Sequence, residues 1–222
     1  MEDPSNSKDV PLDKSTARIW DRFAEGYSKQ PIKDEASYQK KLKITQSYFK
    51  PTDQVVEIGC GTGGTALLHS PWVKKILATD ISDKMLEIAR HKAEESGVTN
   101  VEFRQASVDS LALPPASQDV VLGMSILHLL PNRDQAMKKV HGWLKPGGLF
   151  VTSTICPGDM GSATTFLLNY ILPIGHFLGF VPKVSTLTRE DLKESFRKSG
   201  FDIEYEWQPS QEAAVFIVGR KK

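Results

Sequence analysis

The sequence predicts a doubly wound α/β fold finished by an antiparallel hairpin. Three observations predict it. Short β-branched runs alternate with helical segments from about residue 54 to 155, the pattern of a parallel sheet covered by crossover helices. The first of these runs empties into a glycine-rich loop, "VVEIGCGTGG". The last two apolar runs are joined by a short polar connection, which only antiparallel neighbours can use.

Before the first strand, "STARIWDRFAEGY" (residues 15–27) sets Ile19, Trp20, Phe23 and Tyr27 on one helical face, with Ser15 or Thr16 as N-cap. A second helix is expected over Glu35–Phe49 and is ended by Pro51. "QVVEI" then reads as a buried parallel strand, followed by the glycine loop and a short helix over Thr65–His69. "KILATD" (Lys75–Asp80) is the second strand. Ser82 caps a helix running to Ser96, with Leu86, Ala89 and Ala93 on one face and Gly97 as the stop.

"VEFRQ" (Val101–Gln105) and "QDVVLGM" (Gln118–Met124) are the next strands, then a helix over Arg133–Leu144. "LKPGG" stops that helix and feeds a strand, Leu149–Ile155. Residues 157–185 form an apolar insert. Thr188-Arg189-Glu190-Asp191 is a capping box that opens a helix to Ser199. Phe201–Trp207 and Ala213–Arg220 make the terminal hairpin. Residues 1–14 are polar, with no apolar leader core, and are expected to be a disordered tail before a helical cap at 15–50 and the main domain at 51–222.

The chain has 222 residues, 40% hydrophobic and 25% charged, which supplies a full core for one domain. With 28 Lys+Arg against 27 Asp+Glu, the net charge is +1 and no basic block occurs, so no nucleic-acid partner is expected. Two cysteines, Cys60 and Cys156, do not make a disulfide framework, and a cytoplasmic setting is expected. No apolar run is long enough to span a bilayer. No cluster of Cys, His and acids has metal-ligand spacing, so no metal is expected. The sequence carries no signal of oligomeric state.

The glycine loop matches two signatures at once. Gly59, Gly61 and Gly64 fit G-x-G-x-x-G, a dinucleotide fingerprint; Glu57, Gly59, Gly61 and Gly63 fit E-x-G-x-G-x-G, an adenosyl-cofactor signature. Asp80 ends the next strand 21 residues after Gly59, placed for ribose hydroxyls in either case. Glu57 separates the two. A pyrophosphate wants helix amides and no carboxylate beside it, whereas S-adenosylmethionine (SAM) brings a sulfonium and an ammonium that a partly buried carboxylate favours. Gly64 is then left for close helix packing. A reactive role for the loop thiol of Cys60 is the lesser alternative to an inert small residue.

"VVEIGCGTGGTA", "TDISDKMLEIAR", "DVVLGMSILHLLP" and "LKPGGLFV" resemble the successive motifs of class I SAM-dependent methyltransferases, broadly those of the small-molecule group that includes the ubiquinone and menaquinone C-methyltransferases. The resemblance covers residues 18–222. It implies a Rossmann-like seven-stranded sheet, mostly parallel with an antiparallel C-terminal strand, and helices on both faces. It implies that SAM is the cofactor and S-adenosylhomocysteine the product. Glu57, Gly59, Cys60, Gly61 and Gly63 would wall the methionine end, Asp80 would hold the ribose, and Ile81 and Met85 would pack on adenine, with ordinary helix core as the alternative for Met85. The family's G-D-A turn is replaced by Ala106-Ser107-Val108, leaving Ser107 as acceptor and the Val108 N–H as donor to the ring. Met124 and Ser125 would line the other side of the cofactor, and Tyr27 would close over the methionine.

His128 is the candidate catalytic base, set against a structural role that the family also supports. The insert, with Tyr170 and His176, and the first helix, with Trp20 and Phe23, are the candidate acceptor-binding residues. Their apolar character implies a small hydrophobic acceptor, with core extension or peripheral membrane contact as alternatives. His69, His91 and His141 fall on helices, as surface or packing residues. A non-catalytic SAM-binding subunit and an NAD(P)-dependent oxidoreductase remain the competing classes.

Overall fold

The computed structural model describes residues 14–161, 185–210 and 212–222. The chain opens with helices α1 (Lys14–Ser28) and α2 (Glu35–Tyr48), then alternates β1 (Gln54–Ile58), α3 (Gly64–His69), β2 (Lys75–Asp80), α4 (Asp83–Glu95) and β3 (Val101–Gln105). It continues with β4 (Gln118–Met124), α5 (Arg133–Trp143), β5 (Leu144–Thr154), α6 (Arg189–Lys198), β6 (Phe201–Trp207) and β7 (Val215–Lys221). The strands form one seven-stranded sheet in the order β3-β2-β1-β4-β5-β7-β6. β1 to β5 are parallel, and β7 is inserted antiparallel between β5 and β6.

The strand order reverses between β1 and β4. In open α/β sheets a ligand binds at such a switch point, beyond the carboxyl ends of the strands. Alternation along the strands separates two cores. Val55, Ile76, Ala78, Val120, Leu122, Leu149 and Val151 face α2, α3 and α4. Val56, Ile58, Val121, Phe150 and Ile217 face α5 and α6, where the rings of Phe150, Phe196 and Phe201 meet at 5.5–5.7 Å, Phe150 stacked on Phe196 and Phe201 tilted or edge-on to both.

Four expectations are corrected. α1 is already helical at Lys14, so Ser15 and Thr16 lie inside it and do not cap it. Its expected apolar face is only partly core: Ile19 is buried, but Phe23 is 43% and Tyr27 51% exposed. Pairing of β5 starts at Leu144, opposite Gln118, because Leu144 is fully buried; the Lys145–Gly148 turn bulges before Leu149 re-pairs with Val120. A Cβ on Gly64 would meet nothing within 4 Å, whereas one on Gly63 would lie 2.8 Å from that of Ala89, so Gly63 is the close-packing glycine. The capping box forms as read, with Thr188 and Asp191 bonding each other's backbone. Residues 1–13 and most of the 157–185 insert, including Tyr170 and His176, lie outside the described residues.

Candidate functional site

β1 ends at Ile58, and the chain turns through Gly59, Gly61 and Gly63 with φ of +66°, +53° and +75°. These left-handed values are what glycine permits without strain. The turn is fixed from both sides. Cys60 N–H donates to the Thr79 carbonyl at 2.9 Å, and Gly61 N–H donates to Asp80 Oδ2 at 2.8 Å. Lys92 Nζ donates to Thr62 Oγ1 at 2.9 Å. A Cβ on Gly59 would strike Ile126 at 2.7 Å, so Gly59 and Gly63 are needed by the protein's own packing. Gly61 differs: a Cβ there would meet only Tyr27 Cε1, at 3.7 Å. The bare backbone of Gly61 therefore has the Tyr27 ring beside it and no other described residue packed against that side.

Glu57 is the most informative side chain. It is 1% exposed, in keeping with the buried strand that the sequence predicts, and its Oε2 has no hydrogen-bond partner among the described residues. Burial, reinforced by the nearby Asp80 charge, pushes its carboxyl up to about 8. An unpartnered buried acid is costly, and the cost disappears when a cation sits beside it.

Asp80 is also raised, chiefly by burial, against the pull of the backbone N–H groups that it accepts from Ser82 and Gly61. Two desolvated carboxylates thus lie within electrostatic reach of each other at the ends of β1 and β2. The Tyr27 phenol is raised too, by burial first and then by the Asp80 and Glu57 charges; half its surface is open, but its hydroxyl is desolvated against the acids.

The remaining predicted residues are distributed around this pair. Ile81 is half-buried, and its carbonyl accepts from Gln105 Nε2 at 3.0 Å. Met85, at 2% exposure, offers a ligand almost no surface, which fits the ordinary-core alternative. Ser107 and Ser110 bond reciprocally, the Ser110 N–H to Ser107 Oγ at 3.0 Å, so the Ser107 hydroxyl is already engaged; Val108 is buried. Met124 is half-buried. Ser125 is exposed with φ +59°, an uncommon left-handed serine at the end of β4. Trp20 is half-buried and meets Phe23 edge-on at 6.4 Å. Burial raises the Cys60 thiol well above its usual range, which removes the thiolate a nucleophile would need.

His128 is buried in a 3-10 turn, Leu127–Leu129, and burial lowers it to about 4. Its carbonyl accepts from both the Ser185 N–H and Ser185 Oγ, which ties this turn to the approach of α6. His69, read as a helix residue of surface or packing type, is fully buried and meets Phe49 edge-on at 5.0 Å.

The sequence reading missed Asp21. Its Oδ1 accepts from Ser82 Oγ at 2.6 Å, which moors α1, and so Tyr27, to the cap of α4 beside Asp80. Only an acid on the polar face of α1 was visible beforehand, with no local pattern to distinguish it.

Among the described residues, no group of three or more His, Cys, Asp or Glu is placed to hold a metal ion. Among them, no helix is long and apolar enough to cross a membrane.

The sheet order with its inserted antiparallel strand is a Rossmann-like fold that solved SAM-dependent methyltransferases share at TM-scores of 0.67 and 0.64. Residues 55–148, from β1 through the start of β5, match the family model of a methyltransferase domain. An uncharacterized methyltransferase of Bacillus subtilis, YcgJ, is 34% identical over 110 residues, 50% of this chain and 44% of that protein. The YcgJ crystal structure covers 83% of this chain and 99% of its own at a TM-score of 0.67. A ubiquinone biosynthesis O-methyltransferase of Roseobacter denitrificans is 28% identical over 160 residues, 67% of this chain and 60% of that protein. The chain thus spans about half the length of the curated relatives it matches. The [4+2]-cyclase SpnF shares the fold at a TM-score of 0.67 and 18% identity, covering 81% of this chain and 80% of its own.

Proposed function

We propose that the protein transfers the sulfonium methyl group of SAM to a small acceptor with an apolar or aromatic body. The observation that carries this reading is Glu57: a buried acid with a free Oε2, beside a second desolvated acid. A pyrophosphate at this position would meet two carboxylates; an ammonium or sulfonium would meet the charge it needs. The NAD(P) reading therefore loses to the adenosyl reading on electrostatic grounds.

In this assignment Glu57 holds the ammonium of the donor, and the Gly61 backbone lies along its methionine. Asp80 accepts from the ribose hydroxyls while keeping the loop amides in place. Ile81 flanks adenine, with the Val108 N–H and the Ser107 turn at its edge. Met124 and Ser125 line the side toward the acceptor, and Tyr27 closes the methionine end. The cofactor supplies an electrophilic methyl carbon: the acceptor's lone pair forms the new bond to it as the carbon–sulfur bond breaks, leaving S-adenosylhomocysteine. The protein's share is alignment and exclusion of water. His128 is assigned a structural role, since a buried imidazole held near 4 is a weak base at neutral pH.

The apolar character of the acceptor rests on the composition of residues 157–185 and on Trp20 and Phe23. A second reading, SAM bound without methyl transfer, has one observation in its favour: a cyclase is built on this fold. A screen with methyl-labelled SAM across thiols, phenols, amines and quinones separates the two. Label appearing in any one class supports transfer. SAM binding with no labelled product from any of them supports the second reading.

A further inference from the structure

Lys41 takes no part in the site described above, yet its ammonium reaches the same end of the sheet. It sits on α2, one turn after Tyr38, which contacts Thr65 at the start of α3 and feels the Glu57 charge. Its ammonium donates to Ser153 Oγ at 2.9 Å, across 112 residues of sequence. Ser153 is 5% exposed and lies next to the carboxyl end of β5, in register with Met124 at the end of β4. By alternation Ser153 shares the sheet face of Val151 and Leu149, and Glu57 shares the face of Val55, so all of them look toward α2 and α3. Lys41 therefore stands at the same edge and on the same face as the donor site, displaced sideways. β4 separates β1 from β5, which puts Ser153 about 10 Å across the sheet from Glu57.

Among the described residues this ammonium is poorly compensated. Lys41 is half-buried, and no carboxylate among the described residues lies within ion-pair distance of it. Burial lowers its pKa, and the exposed Asp34 opposes that only from farther along the helix. Residues 162–184, the remainder of the apolar insert, contain no Asp or Glu. Half-buried charges are ordinarily paired, and a lone hydroxyl is a weak partner for an ammonium. The pair Lys41–Ser153 presents one charged and one neutral donor, a combination suited to anionic oxygen.

Resting on the methyl-transfer reading above, we infer that Lys41 and Ser153 bind an anionic oxygen group of the acceptor, a carboxylate. The acceptor is thereby an amphipathic anion, an apolar body carrying a negative charge that Lys41 orients. The methyl donor also has a carboxylate, but its methionine end belongs to β1, two strands away from Ser153.

The test uses the full chain saturated with S-adenosylhomocysteine and titrated with benzoate and with benzamide, a neutral probe of the same shape. The variants are Lys41→Met, which keeps the length and removes the charge, and Lys41→Arg, which keeps the charge. Expected are unchanged S-adenosylhomocysteine affinity in all three proteins, benzoate preferred over benzamide by the wild type and Lys41→Arg, and about tenfold or greater loss of benzoate affinity in Lys41→Met. Equal binding of the two probes, or no benzoate binding, by the wild type overturns the inference. So does a tenfold loss of S-adenosylhomocysteine affinity in Lys41→Met, which would assign Lys41 to the donor's carboxylate. A large drop in the Tm of Lys41→Met would make the residue a staple of α2 and overturn it too. Failure of S-adenosylhomocysteine to bind the wild type is a different result, and it removes the methyl-transfer reading itself.

Discussion

Replacing Glu57 by Gln separates what this residue costs the free protein from what it gives the ligand. The side chain keeps its shape and loses its ability to ionise. In the fold the Glu57 carboxyl is raised from 4.5 to about 8 by burial. Between those values the native state holds a proton that the unfolded chain has released, so the unfolding free energy falls as pH rises across the window. Integrated from 4.5 to 8, the loss is at most about 5 kcal/mol.

His69 and His128 act with the opposite sign. Burial lowers both to about 4, so their contribution is lost as pH falls from 6.5 toward 4. They are common to both proteins and cancel in the difference. Urea denaturation of ligand-free protein at pH 5, 6.5 and 8 is the assay. Relative to wild type, Glu57→Gln is expected to gain little at pH 5 and a few kcal/mol at pH 8. Its affinity for S-adenosylhomocysteine is expected to fall at least about tenfold at pH 8, because an amide cannot neutralise the ammonium. Wild-type affinity should rise with pH toward 8 as Glu57 ionises. A stability difference that does not change with pH, or full affinity in Glu57→Gln, would refute this account of the site.

Four other substitutions follow from the geometry. Asp80→Ala removes the acceptor of the Gly61 and Ser82 amides; a stability loss of about 1–3 kcal/mol and S-adenosylhomocysteine binding weakened at least about tenfold are expected by calorimetry. Gly63→Ala strains a residue at φ +75° and drives a Cβ to 2.8 Å from Ala89, for a cost of about 2–4 kcal/mol by chemical denaturation. Gly64→Ala meets nothing within 4 Å and should be neutral or up to about 1 kcal/mol stabilising. His128→Asn should retain turnover within about threefold with the acceptor the labelling screen returns; a fall of about 10²-fold or more at unchanged cofactor affinity would restore it as a general base.

Most of the fold was legible because its signals are local. β2, β3 and β4 start and stop where their apolar runs do, and Ser82 and Thr188 cap helices through bonds that reach only three residues. The glycine turn and the two acids beside it were legible for the same reason: they lie within 24 residues, Glu57 to Asp80, of each other. What sequence could not supply was tertiary. Nothing near Lys145 announces that Leu144 already pairs with β4. Gly63 and Gly64 are equivalent in a motif, and only the approach of Ala89 distinguishes them. Asp21 and Lys41 find Ser82 and Ser153 across 61 and 112 residues, through contacts no local pattern encodes.

The central claim is that two desolvated acids at the ends of β1 and β2 select a cationic adenosyl ligand. Isothermal titration of the purified chain with SAM, S-adenosylhomocysteine and NADH, each at pH 7 and pH 8, tests it most directly. Binding of both adenosyl ligands, tighter at pH 8, with none of NADH, is the predicted result. Binding of NADH and of neither adenosyl ligand would contradict it.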